Sequence, residues 1–214
     1  MKMYLFAPGA IMFLLVTVTS CSNGHFTSWK YNEKVNHIDF AKIRYGINHD
    51  DTTVIVGFLK SKTVIQGYPC GADWVQFSKD WKLTLFRLDN KTVINNFGFP
   101  KNTWIRPNKD KMVCAFPNDT VIQGYLCRGS GGPKGVQTSF YPNGMLESFF
   151  TKGSIKISDI NCKADVFNNI FLYDNGLLKE CTLSEEQRIK GILYKKGTRI
   201  VIDLKGNVTK KIRQ

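Results

Sequence analysis

The residues able to do acid-base or nucleophilic chemistry are few in this chain and poorly spaced for it. The three histidines, His25, His37 and His49, all precede residue 50. A Ser-His-Asp or Cys-His set needs an imidazole within hydrogen-bond reach of its nucleophile, so a histidine here would have to reach back from the N-terminal segment. The six cysteines are Cys21, Cys70, Cys114, Cys127, Cys162 and Cys181; none forms a CxxC pair and none neighbours a histidine. The ligand spacing of a zinc site is therefore missing. The glycine-rich run Arg128 to Gly135 suggests a phosphate loop, but Lys134 lies between Pro133 and Gly135 and the GxxxxGK[ST] spacing fails. It reads as a flexible inter-strand loop. Glycoside hydrolysis needs two carboxylates across the scissile bond; acids are sparse, Glu185-Glu186 falls in an expected loop, and Asp50-Asp51 reads as a solvated turn. We expect no catalytic residue, no metal site and no cofactor. The 15 Phe, 8 Tyr and 4 Trp could form rows of rings for stacking on glycans. The simpler expectation is that rings such as Trp74, Trp81 and Trp104 fill a thin β core.

The N-terminus carries a different kind of chemistry. Lys2 is followed by the apolar run Ala10 to Val18 and then by small residues, the three-part pattern of a secretory signal. The run is shorter than the roughly 20 apolar residues of a membrane span. Val18-Thr19-Ser20-Cys21 resembles the bacterial lipobox. That resemblance implies cleavage between Ser20 and Cys21 and acylation of the Cys21 sulfur with palmitate-type chains. One chain holds a protein to a bilayer only marginally, so two or three are used. Ser22, rather than an aspartate, follows the cysteine, which by the same resemblance points to the outer membrane. The expected organisation is a signal peptide over 1–20, a lipidated tether and lead-in segment over 21–50, and a repeat domain over 51–214. Residues 22–50 read as polar and irregular apart from a strand over Phe40 to Ile47.

Charge and cysteine count limit the partners. The chain has 30 Lys+Arg against 17 Asp+Glu. Such a balance suits solubility, anionic lipid or an acidic polysaccharide; export argues against nucleic acid. The cluster Lys210-Lys211-Ile212-Arg213 reads equally well as a frayed tail or as a binding site. An exported protein is permitted disulfides, but five cysteines remain beyond Cys21. Either one stays unpaired or bonds to another chain, or the thiols are simply buried. Cys70 and Cys127 are expected to be structural. The Asn-x-Thr sites at Asn90, Asn118 and Asn207 would matter only in a eukaryotic source.

The elements that hold these residues are repeats. Thr63-Val64-Ile65-Gln66-Gly67-Tyr68-Pro69-Cys70 returns as Thr120-Val121-Ile122-Gln123-Gly124-Tyr125-Leu126-Cys127, identical at seven of eight positions. Ile65, Ile94, Ile122, Ile157 and Ile189 mark copies 29, 28, 35 and 32 residues apart. Between markers, Tyr141-Pro142-Asn143-Gly144-Met145-Leu146 matches Tyr173-Asp174-Asn175-Gly176-Leu177-Leu178. Asn-Gly between alternating flanks predicts a type I′ hairpin turn. Each unit reads as strand, glycine-containing loop, strand, tight turn and strand. Cys70, Cys127 and Cys162 share one position in the unit; Cys114 and Cys181 share another. Only Ser184 to Arg188 carries any helix signal, and the repeat alignment makes it a loop.

The Tyr-x-Asn-Gly-x-Leu pattern followed by an apolar strand and Ile-x-Gly, clearest over Leu178 to Leu183, Ile189 to Ile192 and Lys196-Gly197-Thr198, resembles variant MORN-type repeats of bacterial antitoxin-like and lipoprotein sequences. The resemblance covers 120–207 well and 51–119 faintly; the units are longer and less even, and many expected glycines are missing. It implies an all-β fold, an elongated antiparallel sheet of stacked β-hairpins behind a cleaved lipoprotein signal peptide. It transfers no catalytic residue. The expected function is a non-enzymatic lipoprotein of the bacterial cell envelope, held to the membrane by its N-terminal lipid and serving as a platform for protein or anionic-glycan contact. Two alternatives stand beside it: an envelope enzyme acting on peptidoglycan or another glycan, and an antitoxin-like protein-binding module.

Overall fold

A computed structural model describes residues 24–212, apart from residues 109 and 164. Every regular element among the described residues is a strand. The first is β1 (His25–Phe26), followed by β2 (Lys30–Val35), β3 (Ile38–Asn48) and β4 (Asp51–Leu59). Residues 22–50 were expected to be irregular outside one strand. From His25 they instead pair into the sheet, β1 and β2 lying end to end along the outer edge of β3.

Five units follow, each of four strands rather than the expected three. A short hairpin of two three-residue strands precedes a pair of longer strands. Unit one comprises β5 (Thr63–Ile65), β6 (Tyr68–Cys70), β7 (Trp74–Ser78) and β8 (Leu83–Arg87). Unit two comprises β9 (Thr92–Ile94), β10 (Phe97–Phe99), β11 (Trp104–Pro107) and β12 (Met112–Ala115). Unit three comprises β13 (Thr120–Ile122), β14 (Tyr125–Cys127), β15 (Thr138–Phe140) and β16 (Leu146–Phe149). Unit four comprises β17 (Ile155–Ile157), β18 (Ile160–Cys162), β19 (Ile170–Leu172) and β20 (Leu178–Thr182). Unit five comprises β21 (Gln187–Ile189), β22 (Ile192–Tyr194), β23 (Arg199–Ile202) and β24 (Val208–Ile212). The longer strands run in chain order through one 14-stranded antiparallel sheet, from β1 and β2 at one edge to β24 at the other. The short hairpins stay outside that sheet as five separate ribbons.

Alternation explains how the layers meet. In each Thr-Val-Ile strand the isoleucine points inward and the valine outward, so Val64, Val93 and Val121 are 70%, 66% and 66% exposed. Ile65, Ile94, Ile122, Ile157 and Ile189 join one continuous core with the inward residues of the sheet, among them Phe77, Phe86, Phe140, Phe149 and Ile200. A two-stranded ribbon is marginal alone. Burial of its isoleucine, worth about 1.5–3 kcal/mol, ties it to the sheet. Cys70, Cys127 and Cys162 close the second strand of their hairpins at the position Phe99 and Tyr194 fill elsewhere, all buried.

Turn geometry departs from expectation in an instructive way. The type I′ turns, with positive φ at both central residues, fall in the short hairpins. Gln66-Gly67 has φ of +50° and +83°, Asn95-Asn96 +50° and +65°, and Ser158-Asp159 +48° and +66°. At Asn143-Gly144 and Asn175-Gly176 only the glycine has positive φ. The Gly144 N–H donates to the Tyr141 carbonyl at 2.9 Å, and the strand pairing slips by one residue beside it. This is a type I turn with a glycine bulge, and proline at its second position suits it. The asparagine stays right-handed because its Oδ1 accepts the Met145 N–H at 3.0 Å.

Candidate functional site

One face of the sheet is covered by the hairpins. On the opposite face, at its N-terminal end, aromatic and cationic side chains alternate across neighbouring strands. Register sets them side by side: Lys42 pairs with Phe58, Phe58 with Trp74, and Arg87 with Trp104. Trp29, on the edge between β1 and β2, meets Phe58 edge-on at 6.1 Å; Phe58 meets Trp74 at 5.3 Å and Trp74 meets Trp104 at 6.4 Å. Lys42 Nζ lies 4.8 Å from the Trp29 ring centre and 4.4 Å from that of Phe58. The Arg44 guanidinium stands 4.3 Å from Phe26 and 4.4 Å from Trp29. Each such contact is worth about 0.5–2 kcal/mol, depending on desolvation.

The cations of this row are not equivalent. Arg87 also faces Trp104, at 5.3 Å, and is held by Asp73 through two bonds of 2.9 and 2.8 Å. Its charge is neutralised, and a planar two-point pair fixes its plane. Among the described residues Lys42 and Arg44 have no carboxylate within ion-pair distance. Two donors of the row, Arg44 Nε and Trp74 Nε1, are buried without a hydrogen-bond partner. Leaving such a donor unmet costs about 1–3 kcal/mol. The arrangement offers ring faces and two uncompensated positive charges along one strip.

The expectation that the tryptophans fill the core holds for Trp81 alone. Trp81 packs on Phe77 at 5.3 Å and Phe40 at 6.4 Å; Trp74 and Trp104 sit half-buried on the open face. The residues that complete the row, Phe26, Trp29, Lys42, Arg44, Phe58 and Arg87, had no signal in the one-dimensional sequence. Their meeting depends on the His49-Asp50 turn and on the slip in pairing between Phe40 and Lys42.

The remaining sequence candidates are placed as follows. Ser20 and Cys21 lie outside the described residues. His25, His37 and His49 are exposed, the last two in separate turns, and among the described residues no group of three His, Cys, Asp or Glu could hold a metal. The five other cysteines are free, buried thiols. Burial pushes Cys70 and Cys127 up to about 12 and Cys114 higher still. Cys162 is raised by its hydrogen bond with Cys181 and by burial. Nucleophilic thiolate is suppressed in all four. The loop over 128–135 joins β14 to β15 but is pinned rather than loose. The Ser130 and Gly131 N–H groups donate to the Phe116 carbonyl, each at 3.1 Å, and that of Gly129 to Asp119 at 3.0 Å. Those donors are consumed internally and cannot cradle a phosphate. Lys210 and Lys211 belong to β24, not to a frayed tail, and Lys211 Nζ lies 4.7 Å from the Tyr194 ring.

Comparison with known proteins adds no relative: no family model, no curated protein and no solved structure matches the chain.

Proposed function

We propose that this protein is an envelope lipoprotein, anchored through Cys21, whose sheet is a non-enzymatic platform that binds an acidic glycan along its open face. The observation that carries this reading is the row Trp29, Lys42, Arg44, Phe58, Trp74 and Trp104. Rings stack on the apolar faces of sugars, Lys42 and Arg44 meet carboxylate or sulfate groups without competition from a neighbouring acid, and the excess of Lys and Arg over Asp and Glu draws a polyanion to the surface. The signal-like leader and the lipobox resemblance support export, and the stacked hairpins suit the MORN-type resemblance. Protein contact has its own support in Val64, Val93 and Val121, one exposed valine in each of the first three units on the outer surface of the hairpin layer.

Two measurements test the proposal. Cells labelled with radioactive palmitate should incorporate label into the wild type and not into Cys21→Ala; label in neither would remove the anchor. The full chain in detergent should be retained on immobilised heparin and pass through neutral dextran. The double variant Lys42→Ala/Arg44→Ala should weaken retention about tenfold, the equivalent of ~1.4 kcal/mol. Equal retention of wild type and double variant would reject the open face as the site. Shortening of the glycan during incubation would favour an enzyme instead.

A further inference from the structure

The short-hairpin turns carry a second device. The first residue of the turn reaches over to the sheet turn that follows in the same unit. Gln66 Nε2 donates to the Trp81 carbonyl at 2.6 Å, and its Oε1 accepts the Leu83 N–H at 3.0 Å. Gln123 does the same with the Gly144 carbonyl at 2.9 Å and the Leu146 N–H at 3.0 Å. In both cases one carboxamide bridges the left-handed residue of the sheet turn and the residue two further on. Lys190 stands at this position in unit five and, having only donors, takes only a carbonyl, that of Lys205 at 2.6 Å.

Units two and four break the series. In unit two Asn95 has the shorter side chain and makes no such bond among the described residues. In unit four Ser158 occupies the glutamine position, and the groups equivalent to those Gln66 and Gln123 hold are the Gly176 carbonyl and the Leu178 N–H. Ser158 makes no hydrogen bond to either. Asp159 then stands where units one and three have Gly67 and Gly124, and two residues on from Ser158, Ile160 replaces the tyrosine of Tyr68 and Tyr125. Those tyrosines pack on Phe86 at 5.7 Å and on Phe149 at 5.1 Å. The serine and isoleucine replacements remove side-chain volume, and a groove of about 400 Å3 lies there, with Ser158, Asp159, Ile160, Leu178, Ile189 and Ile202 in its lining.

We infer that this groove binds a primary carboxamide, the glutamine side chain of an acidic partner peptide. Units one and three display the ligand's contacts with the chain's own glutamines. A primary carboxamide carries a donor and an acceptor on the same carbon; a carboxylate lacks the donor and an ammonium group the acceptor. The buried Leu178, Ile189 and Ile202 form an apolar floor for the methylene stem. The rim selects the neighbours of that glutamine. Asp159 is already paired with Lys156 at 2.9 Å, and Asp203, held by Asn207 and the Lys205 N–H, lies in the field of Lys190 and offsets it. Arg188 and Lys205 remain as positive charge around the mouth, which favours a peptide with acids beside its glutamine. The site is separate from the open sheet face and does not depend on glycan binding there.

The test is a backbone-amide NMR titration of the full chain in micelles with the capped tripeptide acetyl-Glu-Gln-Glu-N-methylamide. Saturable shifts should appear at Gly176 and Leu178, and the peptide with glutamic acid in place of its glutamine should bind about tenfold more weakly. Ser158→Gln should close the groove with an internal clamp, abolish the shifts and raise Tm, leaving heparin retention unchanged. Absence of shifts at Leu178 would overturn the inference. So would equal binding of the two peptides, or a Ser158→Gln protein that binds like wild type with no rise in Tm.

Discussion

Gln66 and Gln123 use a side-chain amide to do what a neighbouring strand would do, meeting main-chain groups at the point where sheet pairing lapses. Tyr141 and Tyr173 work in the same spirit between units: their hydroxyls donate to the carbonyls of Leu172 at 2.9 Å and Ile202 at 2.7 Å. Such bonds matter more for what their absence leaves unmet than for their own strength. Removing one partner strands a group that water reaches poorly. Gln123→Ala should therefore lower unfolding stability by about 1–3 kcal/mol, read by urea denaturation at constant m-value. A loss within error of zero would mean that water replaces the clamp. Gln66 and Gln123 were visible in the sequence only as members of a nearly identical octapeptide, and Tyr141 and Tyr173 only as the start of a repeated turn motif. Their role was not, because nothing along the chain indicates that Gln123 reaches Leu146, 23 residues on.

At the level of elements, the isoleucine markers were legible and the ribbons around them were not. Ile65, Ile94, Ile122, Ile157 and Ile189 were recognisable because each is the one buried residue of its short strand. Three-residue strands are too short for alternation to show, so Gln66-Gly67 read as part of a loop and the unit lost a strand. The Asn-Gly pairs were found as hairpin turns but given the wrong type, since Asn143 satisfies its own turn with a side-chain bond. The open-face row stayed hidden for a different reason: Lys42 and Phe58 become neighbours only through register. Local electrostatics govern the loop after β18. Asp165 accepts the N–H groups of Phe167 and Asn168, each at 2.8 Å, and pairs with Lys163 at 3.1 Å. Burial pushes this carboxyl up, but the bonds from Asn168, Phe167 and Lys163 outweigh it and hold it at about 2. Its ordinary value is near 3.9, so the ionised form stabilises the loop fully above pH ~4 and the contribution is lost as pH falls toward 2. Amide exchange at Phe167 should accelerate across that window, after correction for intrinsic rates. Asp165→Asn should be fast at neutral pH and show no such transition.

For the molecule as a whole, contacts run between neighbours in the chain order of the sheet, as in other repeat proteins whose stability is close to a sum of units and interfaces. Ile122→Ala empties a buried position in unit three and should cost about 2–4 kcal/mol. Hydrogen exchange should quicken most in units two to four and least in unit five; uniform acceleration from Lys30 to Lys211 would mean that the sheet melts as one body. The outermost strands are guarded in different ways. β24 presents Lys210 and Lys211, and β2 is interrupted at Asn32, which has φ of +57°. Charges and kinks of this kind discourage edge-to-edge growth.

A consequence follows from the constancy of the four-strand unit. Each unit adds two strands to the sheet, about 10 Å of span, together with roughly 40–50° of twist. Adding or deleting one copy therefore changes how far the last strand stands from the first, and which way it faces, while the contacts inside every other copy stay as they are. If the chain is anchored at its N-terminus as proposed, copy number is a ruler. It would set the distance from the anchor at which a surface is offered and the direction in which it is turned, and it could be reset by duplication without redesigning any part.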